Sequence, residues 1–195
     1  MWNSLEIAKL LVAALVPVTV VGLGVWVAKL TKRLENAQWI NQKLVEKRIS
    51  LVDQVAPDLN DLYCYFLWIG VWKALSPVDV IERKRRLDRI IYVNRPFLGK
   101  TCLTAYEAFM DTLFATFTAP GWDAGLRTTL ASKYGDRSAN YCGEGEWKSE
   151  WNDKFVNNAA NRADVQARYS DLMDQLAEQV GVQTSSKTQV DSQNP

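Results

Sequence analysis

The densest run of chemically capable side chains is "ERKRRLDR" at 82–89, which holds Arg83, Arg85, Arg86 and Arg89 with Lys84 among them. Cations so crowded could take phosphate oxygens, on anionic lipid headgroups or on RNA. Near a charged lipid surface each contributes about 1 kcal/mol. The same run also reads as a solvated, self-paired helix face, because Glu82 stands four residues before Arg86 and Asp88 lies near Arg85. No aromatic residue alternates with the basic ones, so the stacking platform of a single-strand binder is missing and nucleic acid is not an expected partner.

A second stretch, "NRPFLGKT" at 94–101, invites a phosphate-loop reading. Such a loop needs a glycine five positions before the glycine of its Gly-Lys pair, and Asn94 occupies that place. Gly99 then reads as a chain break, with Lys100 and Thr101 starting a helix. Glu144, Glu146, Glu150 and Asp153 gather beside a glycine-rich segment, but at spacings that suggest no metal triad. The chain of 195 residues has no histidine, which removes Ser-His-Asp and Cys-His catalysis and histidine-bearing metal sites. Cys64, Cys102 and Cys142 show no CxxC spacing, so an all-cysteine zinc site is excluded, and their odd number fits a reducing compartment. The formal net charge of +1 supplies no global field. No metal, no cofactor and no enzymatic activity are expected.

The elements that would position these groups are helical. Ser76, Pro77 and Asp79 form an N-cap, a first-turn proline and an acidic third position, close to a capping box. Val80, Leu87 and Ile91 follow as a buried stripe. Pro57 opens another helix whose uncharged part, Leu62–Trp72, reads as the central core element. Leu103, Tyr106, Phe109, Met110, Leu113 and Phe117 keep helical spacing until Ala119-Pro120-Gly121. Residues 119–146 contain five glycines and little periodicity, so an irregular connection is expected there. Trp147, Trp151 and Phe155 start a short helix. An amphipathic helix runs from about Arg162 to its stop at Gly181. No alternating strand run is seen.

The amino-terminal part is different. "LLVAALVPVTVVGLGVWVA", from Leu10 to Ala28, contains no charge. Nineteen helical residues cover roughly 28 Å, close to the hydrocarbon thickness of a bilayer. The expectation is a transmembrane helix, with Ala13, Pro17, Gly24 and Ala28 as a small-residue stripe for helix association. Lys29, Lys32, Arg33 and later basic residues put the carboxy-terminal side of that helix in the cytoplasm by the positive-inside rule. Beyond the span, Leu30, Leu34, Ala37, Leu44, Leu51 and Val55 keep a three-four spacing, with Asn41 and Arg48 at the missing positions of the series and the helix ending near Ala56. Asn41 on that seam would specify register in an oligomer.

The segments "ENAQWINQKLVEKR", "VAPDLNDLYCYF", "VWKALSPVDVIERKRRLDRIIYVN" and "AYEAFMDTLF" resemble those of small bacterial single-span proteins, over most of residues 35–115. In layout the chain is also similar to the membrane-pore accessory protein of type VI-B CRISPR systems, although that family's HEPN-like motif calls for a histidine, which this chain lacks. The whole reads as an all-α protein: a transmembrane anchor over 1–30, a cytoplasmic helical domain over 31–182 and a disordered tail over 183–195. The expected function is non-enzymatic, a single-pass inner-membrane protein with its amino terminus outside. Its helical domain would self-associate or bind a cytoplasmic protein partner. The competing expectation is an oligomeric membrane effector or pore in antiviral defence. Expected partners are the lipid bilayer, further copies of the chain and a cytoplasmic protein. Arg83, Arg85, Arg86 and Arg89 would contact anionic lipid or phosphate.

Overall fold

A computed structural model describes residues 4–116 and 124–182; of residues 4–12 and 14–18 only the backbone is described. Four α-helices dominate: α1 (Ser4–Leu67), α2 (Pro77–Val93), α3 (Lys100–Leu113) and α4 (Arg162–Gln179). Short 3-10 turns occupy Gly70–Lys73, Arg95–Phe97 and Ser149–Lys154. Two antiparallel pairs of very short strands complete the order: β1 (Phe114–Ala115) with β2 (Gly125–Leu126), and β3 (Ala131–Ser132) with β4 (Gly135–Asp136). The chain divides into two compact units after Leu44, inside α1.

The expected transmembrane helix is corrected. Among the described residues no helix is long and apolar enough to cross a membrane. The uncharged run of described side chains from Thr19 ends at Ala28, and Lys29, Lys32, Arg33 and Glu35 follow in the same helix. Charges that close together are costly in hydrocarbon. Residues 10–12 and 14–18 of the run, Pro17 among them, have side chains outside the described residues. The single-pass, inner-membrane placement with a cytoplasmic carboxy-terminal domain falls with the span. The tail at 183–195 also lies outside the described residues.

In the second unit the core is built on one face of α1. Leu51, Val55, Leu59, Leu62 and Phe66 recur at intervals of three or four and are buried. This stripe explains why the helix does not stop at Ala56. An interior proline costs about 3 kcal/mol. Burying Leu59 and Leu62 beyond it returns about 1.5–3 kcal/mol each, so helix is retained through Pro57. Val80, Ile81, Leu87 and Ile91 of α2 join the core, as do Tyr106, Phe109, Met110 and Leu113 of α3 and Val165, Leu172 and Leu176 of α4. α3 packs along α4, where Tyr169 stacks on Tyr63 with centroids 4.1 Å apart and meets Phe109 at 5.7 Å.

α2 begins as its sequence predicts. The Ser76 Oγ accepts from the Asp79 backbone N–H, and an Asp79 oxygen accepts from the Ser76 backbone N–H, a complete capping box. α3 starts at Lys100 with Gly99 as N-cap. It ends at Leu113, because Phe114 and Ala115 turn extended and pair with β2; Phe117, the last residue of the expected stripe, lies outside the described residues. The two strand pairs correct the all-α expectation, which saw no strand, and β2, β3 and β4 fall inside the stretch 119–146, expected to be irregular. Each spans two residues, too short for an alternating pattern to register in the sequence. β3 and β4 are joined by Lys133 and Tyr134, and Gly135 leaves that loop at φ 141°, a conformation that side-chain-bearing residues rarely adopt.

The contact between α2 and α1 rests on a carboxylate. Arg86 donates Nε and Nη2 to the two oxygens of Asp58, both at 2.6 Å. Arg83 donates Nε to Asp61 at 3.0 Å. Asp58 is buried whereas Arg86 is largely exposed, so water screens part of the attraction. Asp58→Ala is expected to lower unfolding free energy by about 1.5–3 kcal/mol, as for a charged hydrogen bond lost beside a buried group. In urea titrations Arg86→Ala should add little to Asp58→Ala; full additivity of the two would show that the pair is not coupled.

Candidate functional site

The carboxy end of α1 is closed by an unusual residue. The Ile69 N–H bonds to the Cys64 carbonyl at 3.0 Å and the Trp68 N–H to the Tyr65 carbonyl at 3.3 Å. This is the Schellman pattern, whose left-handed position is usually glycine. Here Trp68 fills it at φ 60°, the only non-glycine residue with positive φ among the described residues. A bulky residue held there stores on the order of 1–3 kcal/mol of strain, which neighbouring contacts must offset.

Those contacts come from Arg137, directly after β4. Its guanidinium carbon lies 3.7 Å from the Trp68 ring centroid, 3.9 Å from that of Tyr65 and 5.7 Å from that of Trp72. Trp68 and Trp72 meet edge to face at 5.0 Å. Arg137 donates Nη2 to the Tyr65 carbonyl at 2.9 Å and to the Thr128 hydroxyl at 3.2 Å, and Nε to the Thr129 carbonyl at 3.1 Å. Only 1% of the residue is exposed, and no carboxylate pairs with it among the described residues. Its Nη1 and the Tyr65 hydroxyl are buried without a hydrogen-bond partner. Burial pulls the guanidinium down to about 10, opposed by Tyr65, and pushes the Tyr65 phenol above its ordinary value. Arg137 therefore remains a cation at neutral pH, held by ring faces and carbonyl oxygens rather than by a counter-ion.

A second arginine reaches the same helix end. Arg162, the first residue of α4, donates Nη1 to the Leu67 carbonyl at 2.7 Å and lies 5.2 Å from the Tyr134 ring centroid. α1 has no basic residue in its own last turn. Arg137 and Arg162 supply the cations that its carbonyl end favours. Arg127 stands alongside, donating Nε to the Phe114 carbonyl at 3.1 Å. The Cys142 N–H bonds to the Lys73 carbonyl at 2.9 Å. A Cβ on Gly143 would meet the Ala74 carbonyl oxygen at 2.5 Å, so the backbone approaches there as only glycine allows.

The residues singled out in the sequence fall elsewhere. Of the basic run on α2, Arg83 and Arg86 are taken by Asp61 and Asp58, and Lys84 pairs with Asp88 at 2.6 Å; Arg85 and Arg89 are exposed. Ala13, Gly24 and Ala28 are exposed on α1, while the Pro17 side chain is outside the described residues. Leu30, Leu34, Ala37 and Asn41 are exposed and Leu44 is half-buried, whereas Leu51 and Val55 of the same series enter the core. Glu144, Glu146, Glu150 and Asp153 are exposed, and no three metal-ligating side chains come together among the described residues. Cys102 is buried and burial pushes its thiol up to about 11, so its nucleophilic form is scarce. Sequence reasoning misses the Arg137 centre. Its only signal there is Trp68 four residues before Trp72, then glycine-rich chain with two isolated arginines, Arg127 and Arg137. No family model, no curated protein and no solved structure matches the chain.

The strain at Trp68 is separable from its stacking. Trp68→Ala and Trp68→Gly both lose the indole, but only glycine accepts φ 60° freely. Both variants are expected to be less stable than the parent, with Trp68→Gly the more stable of the two by about 1 kcal/mol. An alanine variant equal to or better than the glycine one in chemical denaturation would refute a left-handed residue 68.

Proposed function

We propose that the protein is a non-enzymatic self-association module whose α1, over residues 20–44, pairs in parallel with the same segment of a second copy. The observation that supports this is the exposed seam along that stretch. Val20, Leu23, Val27, Leu30, Leu34, Ala37, Asn41 and Leu44 alternate steps of three and four, the spacing of coiled-coil core positions. Val20, Leu23 and Leu34 are 64%, 65% and 67% exposed. A contiguous apolar stripe of this kind ordinarily marks an interface.

The residue types favour a second copy over an unrelated occupant. Val20, Val27, Leu34 and Asn41 fall at one core position of the repeat, and Leu23, Leu30, Ala37 and Leu44 at the other. Valine at the first and leucine at the second suit two parallel strands. Asn41 has its best complement in another Asn41 at the same level, which fixes both register and parallel orientation. No charged residue interrupts the seam before Arg48. The absence of histidine and the raised Cys102 thiol favour association over catalysis.

Sedimentation equilibrium of the full chain tests this. The parent should run as a dimer or larger at micromolar concentration, and Leu30→Glu with Leu34→Glu should shift it to monomer while leaving the helical circular-dichroism signal of the second unit in place. Asn41→Leu should tighten assembly and broaden its stoichiometry. A parent chain that is monomeric at high concentration, or a double variant with unchanged mass, would overturn the proposal.

A further inference from the structure

Beside the Arg137 centre lies a cavity of about 160 Å³ whose polar lining consists of Arg127, Arg162, Thr128, Thr129, Ser132 and Tyr134. No carboxylate contributes to it. Phe66 and Trp68 give it an aromatic wall, and Ala159 and Ala160 leave one side low. Thr129, Ser132 and Tyr134 are exposed and set the mouth, while Thr128 is buried at the inner end.

The charged groups of this lining are donors only, and two of its hydroxyls have a donor left. Arg127 and Arg162 each commit a single N–H to a backbone carbonyl, of Phe114 and Leu67. A guanidinium carries five donors and no acceptor, and neither arginine meets a carboxylate among the described residues. The Thr128 hydroxyl already accepts from Arg137, and the Ser132 hydroxyl accepts from the Tyr134 N–H. Both hydroxyls therefore have their hydrogen left to donate. Behind Thr128 sits the buried, unpaired charge of Arg137, one of whose nitrogens lacks any partner. A void with two guanidiniums and donor hydroxyls in its wall is complementary to an oxyanion, which accepts from several directions.

We propose that this cavity is a binding site for a phosphate group, held by Arg127 and Arg162 with the Thr128 and Ser132 hydroxyls. The size is adequate: a cavity of about 150 Å³ accommodates a benzene ring, so a phosphate enters with room for a few waters or for part of the group that carries it. Arg127 directly follows β2 and Arg162 is the first residue of α4, so an anion between them joins two segments separated in sequence. Phosphate supplied free in solution and phosphate carried on an aromatic ester share this chemistry and differ in their use of the Phe66 and Trp68 wall.

Isothermal titration calorimetry of the full chain with inorganic phosphate and with phenyl phosphate, at ionic strength held constant by chloride, tests the site. Saturable binding of one equivalent is expected for at least one of them. A tenfold tighter Kd for the ester would identify a phosphomonoester as the natural ligand, and equal Kd values would identify free phosphate; both support the site. Arg127→Gln with Arg162→Gln should weaken binding at least tenfold. Those arginines also bond to backbone carbonyls, so Ala159→Leu, which fills the cavity and leaves both guanidiniums in place, should produce the same loss in a chain of unchanged melting temperature. No heat beyond the chloride control, or binding that survives Ala159→Leu and the double variant alike, would overturn the proposal.

Discussion

The second unit depends on how the carboxy end of α1 is closed. A helix end presents carbonyl oxygens that its own turns cannot satisfy, and here those carbonyls lie among buried residues. The chain meets the need from a distance. Arg137 bonds to the Tyr65 carbonyl across 72 residues of sequence, and Arg162 bonds to the Leu67 carbonyl across 95. Burying a guanidinium without a counter-ion is costly. Ring faces of Tyr65 and Trp68, two backbone carbonyls and the Thr128 hydroxyl offset that cost. Trp68 accepts a left-handed backbone so that its indole can lie against the cation.

From that closure the remaining organisation follows. Among its described residues the glycine-rich segment after β1 buries one large apolar side chain in the core, Leu126, and no core stripe. It is held by Arg137, by the short strand pairs and by backbone contact between Cys142 and Lys73. Arg127, carried on the same segment, is brought next to Arg162 at the start of α4. Three cations gather at one helix end, while Asp58 and Asp61 are committed to α2, and Asp88 to Lys84 and the Tyr106 hydroxyl. The basic run on α2, the most conspicuous in the sequence, is thus largely a packing device, and the cationic cavity is assembled from isolated arginines.

What the sequence discloses depends on range. Local signals are readable: the Ser76–Asp79 capping box, the break at Gly99 and the start of α4 at Arg162 each depend on a few adjacent residues. Signals that tertiary burial overrides mislead. Pro57 marks a helix start by propensity, yet the stripe from Leu51 to Phe66 keeps α1 intact through it. Judged by length alone, the apolar run up to Ala28 suggests a span, but among the described residues no helix is long and apolar enough to cross a membrane. The Arg137 centre is illegible because its parts are separated by about seventy residues and none is a recognised motif. An arginine in a glycine-rich stretch reads as a solvated loop residue, and only the fold shows it buried between aromatic rings.

Native-state hydrogen exchange on Arg137→Leu tests the closure most directly. Leucine keeps apolar bulk in the space and removes every hydrogen bond and the charge. Amides from Gly125 to Cys142 should lose most of their protection, along with Trp68 and Ile69 at the end of α1, while the α3–α4 amides keep theirs. Protection in 125–142 equal to that of the parent would contradict the account, because the segment would then be held in place without the arginine.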